Sequence, residues 1–191
     1  MMPSYSQRSR DDRLVVGITG RIGAGKTSAG GYLSSRHGFQ YLRYSQVLSE
    51  WLAKDSESKA RLQDIGWQVM TKGMQPELNR RLIAQIKPDS DVAVDGLRHP
   101  LDYESLKNSF PASFRMLFID SPEEVRWERK KDKTKYSGLR SFKTSDSHPV
   151  EQQIEVLRAN AALVLQNEGS LQDLYAALDE AVRGFRKAGY A

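Results

Sequence analysis

Gly20-Arg21-Ile22-Gly23-Ala24-Gly25-Lys26-Thr27 is the stretch on which the reading of this chain turns. It fits the pattern G-x-x-x-x-G-K-[ST]. The glycines let the backbone curl, so that consecutive N–H groups point into one concavity and can meet phosphate oxygens. The helix expected after them adds the partial positive charge of its N-terminus. Lys26 would reach the β and γ phosphates of a nucleotide, and the Thr27 hydroxyl would ligate Mg²⁺. Gly20, Gly23, Ala24, Gly25, Lys26, Thr27 and Ser28 are therefore the expected ATP-binding residues, with Lys26 also catalytic and Thr27 also a metal ligand.

The flanks of this stretch suit it. Residues 14–19 form a short apolar, β-branched run that reads as a buried strand. A helix is expected from 26 to about 36, stopped by His37-Gly38. Gly30-Gly31 inside it is unfavourable by about 1 kcal/mol per glycine, unless close packing on the sheet requires it. Further strands are expected at 39–44, 92–95, 114–120 and 163–165. Helices are expected from Ser45, as N-cap, to about 54, then at 58–73, 76–86 and 100–108. Ser121-Pro122-Glu123-Glu124 reads as a cap, a first-position proline and first-turn acids of another helix. The last two are expected at 149–161 and from Ser170 to about 187. Strands alternating with helices imply a parallel sheet covered on both faces. Ligands of such sheets bind beyond the carboxyl ends of the strands, where the glycine stretch, Asp95 and Asp120 all lie.

The 191 residues suit one domain with a full core. The first 13 are polar and basic, which reads as a disordered lead and not as a signal peptide. There is no cysteine, which excludes disulfides and thiolate metal sites and fits a reducing compartment. No apolar run approaches the roughly 20 residues of a membrane span. The expectation is a cytoplasmic protein with no membrane partner. Its three histidines, His37, His99 and His148, have no ligand-like spacing. The net charge of +5 is local. Residues 126–143 hold eight basic and two acidic side chains, a net +6, so the rest of the chain sums to −1. One patch suits a polyphosphate better than a long nucleic-acid track.

Other segments resemble the nucleoside monophosphate kinase superfamily. Asp95-Gly96-Leu97-Arg98 looks like the segment whose aspartate helps hold Mg²⁺ and whose arginine grips the acceptor's phosphate. Arg126-x-x-Arg129 looks like the lid arginines that close over the transferring phosphoryl group. Residues 61–66 resemble the acceptor-side helical region, and Asn167-Glu168-Gly169-Ser170-Leu171 the turn near the base of the phosphate donor. The resemblance covers roughly residues 14–182. It is nearest to a microbial subgroup described as deoxynucleoside monophosphate kinase-like or dephospho-coenzyme A kinase-like. The chain departs from that subgroup at Ser145-Asp146, where an Arg-Asp pair is usual, and in a lid richer in lysine.

The resemblance implies a three-layer α/β/α fold on a five-stranded parallel sheet of order 2-3-1-4-5. Residues 14–191 would form this single domain, with acceptor-binding helices at about 45–86 and a short lid at about 126–145. It implies catalytic roles for Lys26, Arg98, Arg126 and Arg129, and ATP contacts at Asn167 and Gly169. Ser45, Arg61 and Arg98 would bind the acceptor, and Thr27 and Asp95 the metal. The expected activity is phosphoryl transfer from ATP·Mg²⁺ to a nucleoside or deoxynucleoside monophosphate, by a monomer or homodimer. Two alternatives stand beside it. One is a dephospho-coenzyme A kinase-like activity on a ribose hydroxyl. The other is a non-catalytic or regulatory nucleotide-binding protein.

Overall fold

A computed structural model describes residues 13–52, 59–132 and 136–188. All but the last residue of the expected lead, the end of the helix after Ser45 and three residues of the lid lie outside these, as does the side chain of Arg61.

Five strands make one parallel sheet: β1 (Val15–Thr19), β2 (Gln40–Arg43), β3 (Val92–Asp95), β4 (Phe114–Asp120) and β5 (Leu163–Gln166). Their order is β2-β3-β1-β4-β5, as expected. Every residue of β1 is buried, because a central parallel strand is covered on both faces. Alternation sends its side chains to two cores. Val16 and Ile18 join Leu33, Leu117 and Leu178 on one side. Val15 joins Leu82, Val94, Leu106 and Met116 on the other.

The first core lies under α1 (Lys26–His37) and α10 (Leu171–Ala188). Ser170 and Asp173 start α10 with reciprocal side-chain to backbone bonds of 3.2 and 2.8 Å. The second core lies under α2 (Tyr44–Leu52), α4 (Gln75–Ile83) and α5 (Pro100–Ser109), with α3 (Lys59–Thr71) packed outside. No helix among the described residues is long and apolar enough to cross a membrane.

Three local expectations fail and one helix was not expected. Helix α2 begins at Tyr44, so Ser45 lies inside its first turn and does not cap it. Helix α6 (Glu123–Glu128) has Pro122 at its N-cap; the Ser121 hydroxyl instead accepts from Arg129 at 3.2 Å. A helix the sequence did not suggest, α7 (Leu139–Asp146), occupies the lid. The stretch expected as one helix at 149–161 is broken into α8 (Pro149–Gln152), α9 (Ile154–Leu157) and a 3₁₀ turn. Val150, Glu151, Ile154 and Leu157 are the buried residues of α8 and α9.

Candidate active site

The cradle forms where β1 ends. Gly20, Gly23 and Gly25 have φ of 138°, 83° and 110°, a region costly for residues with a Cβ. Space forbids one as well. A Cβ on Gly20 would run into the Ile119 carbonyl, and one on Gly25 would lie 2.5 Å from Asn167 Nδ2. Lys26 opens α1, and its ammonium donates to the carbonyls of Gly20 and, at 2.9 Å, Arg21. Burial pushes its pKa down to about 8, with the Arg98 cation adding to the shift and Asp95 and Glu151 opposing it. An approaching polyphosphate would supply the negative charge this lysine lacks.

The walls behind the cradle come from the far half of the chain. Asn167, 4% exposed, donates to the Ala24 carbonyl at 2.8 Å. Arg129 reaches Gly169 O at 3.1 Å and Asn167 Oδ1 at 3.4 Å, which joins the lid to the turn after β5. Arg126 was expected to contact phosphate, but it points inward. It is 4% exposed, donates to Ser121 O and Ile22 O, and pairs twice with Asp146 at 2.6 and 3.0 Å. Arg21 grips the same carboxylate at 3.0 Å. Asp146, of uncertain role in the sequence, thus ties the glycine loop, α6 and α7 together, and Arg126 acts as a brace beneath the loop.

On the other side of Lys26 is a cavity of about 260 Å³. Ile22, Gly23, Lys26 and Thr27 contribute from the cradle, and Tyr44, Ser45, Leu48, Gln75 and Leu78 from α2 and α4. Asp95, at the end of β3, is 6% exposed and accepts from the Tyr41 hydroxyl at 2.8 Å. Tyr41 can take that position only because α1 carries Gly30, where a Cβ would overlap the Tyr41 ring. The unfavourable helical glycine is thus explained by close packing. Gly31 has open space around it and no such reason.

Arg98 also lines the cavity, but it is already engaged. Its Nε and Nη2 both lie 3.0 Å from Oε1 of Glu151, whose side chain is fully buried. Gln63 donates to the same oxygen at 3.2 Å. Two imidazoles help set this pair in place. His99 caps α5 through Leu101 N (3.1 Å), and His148 caps α8 through Val150 N (3.2 Å). Nothing in the spacing of the sequence marked Glu151, Tyr41, Tyr44 or Gln75.

The expected residues therefore divide. Lys26, Thr27, Asp95, Arg98 and Ser45 line one cavity. Arg126, Arg129, Asn167 and Gly169 support the cradle from behind. Asp120, which ends β4, pairs with Arg158 at 2.7 Å. The donor set suits a magnesium nucleotide. Thr27 offers a hydroxyl, and Asp95 offers an Oδ1 with no hydrogen-bond partner, both hard oxygen ligands. No cluster of three or more His, Asp or Glu that could hold a metal occurs among the described residues. Mg²⁺ does not need one where phosphate oxygens complete its shell.

Solved structures similar to this one include a gluconokinase from Sinorhizobium meliloti 1021, with 16% identity over 95% of each chain and a TM-score of 0.60. A shikimate kinase from Aquifex aeolicus shares 16% identity over 90% of this chain and 97% of its own, with a TM-score of 0.58. A sugar kinase from Janibacter sp. shares 15% over 90% and 93%, with a TM-score of 0.55. At such identity the likeness is one of fold, that of the P-loop kinases. A search of curated proteins found no match. The family model described as "AAA domain" matches residues 16–149, from β1 through the lid to the start of α8, and the chain belongs to that family.

Proposed function

We propose that this protein is an ATP-dependent small-molecule kinase. One observation carries the reading: the cradle around Lys26 and Thr27 opens directly onto a lined cavity that also holds Asp95 and Arg98. A protein that only bound or hydrolysed nucleotide would need no second compartment there. The names of its structural neighbours support the same reading.

In this scheme the cradle amides and Lys26 hold and orient the phosphates of ATP. Thr27 and Asp95 hold Mg²⁺, which neutralises charge on the transferring group. Arg129 and the turn at Asn167–Gly169 border the donor's far side. Catalysis is positioning plus charge neutralisation.

The nucleoside monophosphate acceptor implied by the sequence has less support. The neighbours are named for gluconate, shikimate and sugars. A phosphate placed on Arg98 would have to share that guanidinium with the Glu151 carboxylate.

The test is a coupled ADP-release assay of the full chain with ATP·Mg²⁺ against sugars, sugar acids, shikimate and nucleoside monophosphates. At least one acceptor should stimulate ADP formation, and Lys26→Ala should abolish it. Unstimulated ATP consumption across the whole panel would refute the kinase reading.

A further inference from the structure

Arg98 meets Glu151 side on. Its Nε and Nη2 both lie 3.0 Å from Oε1 of that carboxylate. This spends one edge of the guanidinium's donor fork. The other edge remains: Nη1, which makes only a long bond of 3.5 Å to the Gly96 carbonyl, and the second N–H of Nη2. Two parallel donors of that kind suit the oxygens of a phosphoryl group. The Arg98 side chain is 25% exposed and that of Glu151 is fully buried, so the arginine can meet a ligand in the cavity and the glutamate cannot. Arg98 also stands close to Lys26. After burial, its cation is the largest cause of that lysine's lowered pKa.

Glu151 is itself held in place. Gln63 of α3 donates to the same Oε1 at 3.2 Å and to the Ser145 carbonyl of α7 at 3.1 Å. Glu151 lies in α8, whose start His148 caps. Three elements distant in the chain thus converge on one carboxylate oxygen, and Arg98 is the side chain that this oxygen turns toward the cavity wall. A free arginine carries about 2 kcal/mol of rotamer entropy. Folding has already removed much of it here, so a ligand that meets Arg98 does not have to.

We propose that Glu151 is a positioning residue for phosphoryl transfer, fixing the Arg98 guanidinium so that its remaining edge meets the transferring phosphoryl group beside Lys26. This rests on the kinase reading. It makes Arg98 a partner of the donor's γ-phosphoryl group and not a grip for a phosphate on the acceptor. In the step concerned, an acceptor oxygen bonds to the γ-phosphorus as that phosphorus parts from the β–γ bridging oxygen. ADP leaves with the electron pair, and any proton on the acceptor oxygen goes to solvent. Glu151 takes no proton and touches neither substrate.

The test pairs kinetics with a readout independent of turnover. With an acceptor that stimulates the wild type, Arg98→Ala should lower kcat about 100-fold while the acceptor KM stays within about threefold. Glu151→Gln keeps an accepting oxygen but loses the charge, and should lower kcat about 10-fold with the same unchanged KM. The two residues act as a unit, so the double variant should be no slower than Arg98→Ala alone. ADP·Mg²⁺ with aluminium fluoride mimics the group in transfer. It should raise the melting temperature of the full wild-type chain above that with ADP·Mg²⁺, an increment lost in Arg98→Ala and reduced in Glu151→Gln. The proposal is overturned if Glu151→Gln keeps the wild-type kcat and fluoride increment. It is also overturned if the losses appear in acceptor KM with kcat intact, which would make Arg98 a grip for the acceptor, or if the two substitutions multiply. The kinase reading fails separately: a fluoride increment that depends on both residues, with no acceptor stimulating ADP release, would overturn the activity and leave the placement of Arg98 standing.

Discussion

Lys26 shows how one residue couples charge to ligand. Its pKa of about 8 in the free protein lies below that of an ordinary lysine, so the chain gives up a proton there as pH rises. The sign for stability follows. Between about 8 and the usual lysine value the unfolded chain binds a proton that the folded one does not, so this group's cost to folding is relieved as pH rises through that window. Nucleotide binding runs the other way, because phosphates favour the ammonium. Affinity for ATP·Mg²⁺ should therefore hold to about pH 8 and then weaken by up to about tenfold per unit. Titrations from pH 7 to 9.5 would measure this. Lys26→Ala should bind far more weakly and lose the dependence, and a lysine variant that kept the same slope would place the titrating group elsewhere.

Helix α1 carries two adjacent glycines with opposite consequences. At Gly30 the missing Cβ admits the Tyr41 ring, whose hydroxyl holds Asp95. Gly30→Ala should cost about 1–3 kcal/mol by overpacking and raise the Mg²⁺ concentration needed for activity. Gly31→Ala meets nothing within 4 Å and should stabilise by about 0.5–1 kcal/mol through helix propensity. Thermal melts of both variants check the pair; equal effects would remove the packing explanation. Elements of this kind set how much was legible beforehand. The cradle, the strand ends and the sheet order are written in local patterns, a glycine spacing and apolar runs. Helix α7 and the breaks after Pro149 are not, because they depend on burying Phe142, Asp146 and Glu151 against distant segments. The far wall of the cavity beside Lys26 escaped for the same reason. Arg98 is a motif residue, whereas its partner Glu151 lies 53 positions away with no signature of its own.

Across the whole molecule, Asp146 is the joint. It receives Arg126 from α6 and Arg21 from the glycine loop while closing α7, and is itself 4% exposed. Asp146→Ala would leave buried Arg126 without its counter-charge. A loss of about 3–5 kcal/mol is expected, read as a lower denaturation midpoint. ATP affinity should fall with it, because the loop loses its tether; loss of stability with unchanged affinity would reduce Asp146 to a fold residue. The sheet order carries a further consequence, one of time. β1 has no partner near it in the chain: Ile18 lies beside Asp95 and Leu117, and Thr19 beside Phe118. On a ribosome adding about 5–20 residues per second, the segment that will bear the cradle waits roughly 5–20 seconds for β4 to be made. Asn167, which closes the cradle, comes later still. The cradle at Gly20–Thr27 thus has to wait, in a nascent molecule, for segments made well after it before all of its supports are present.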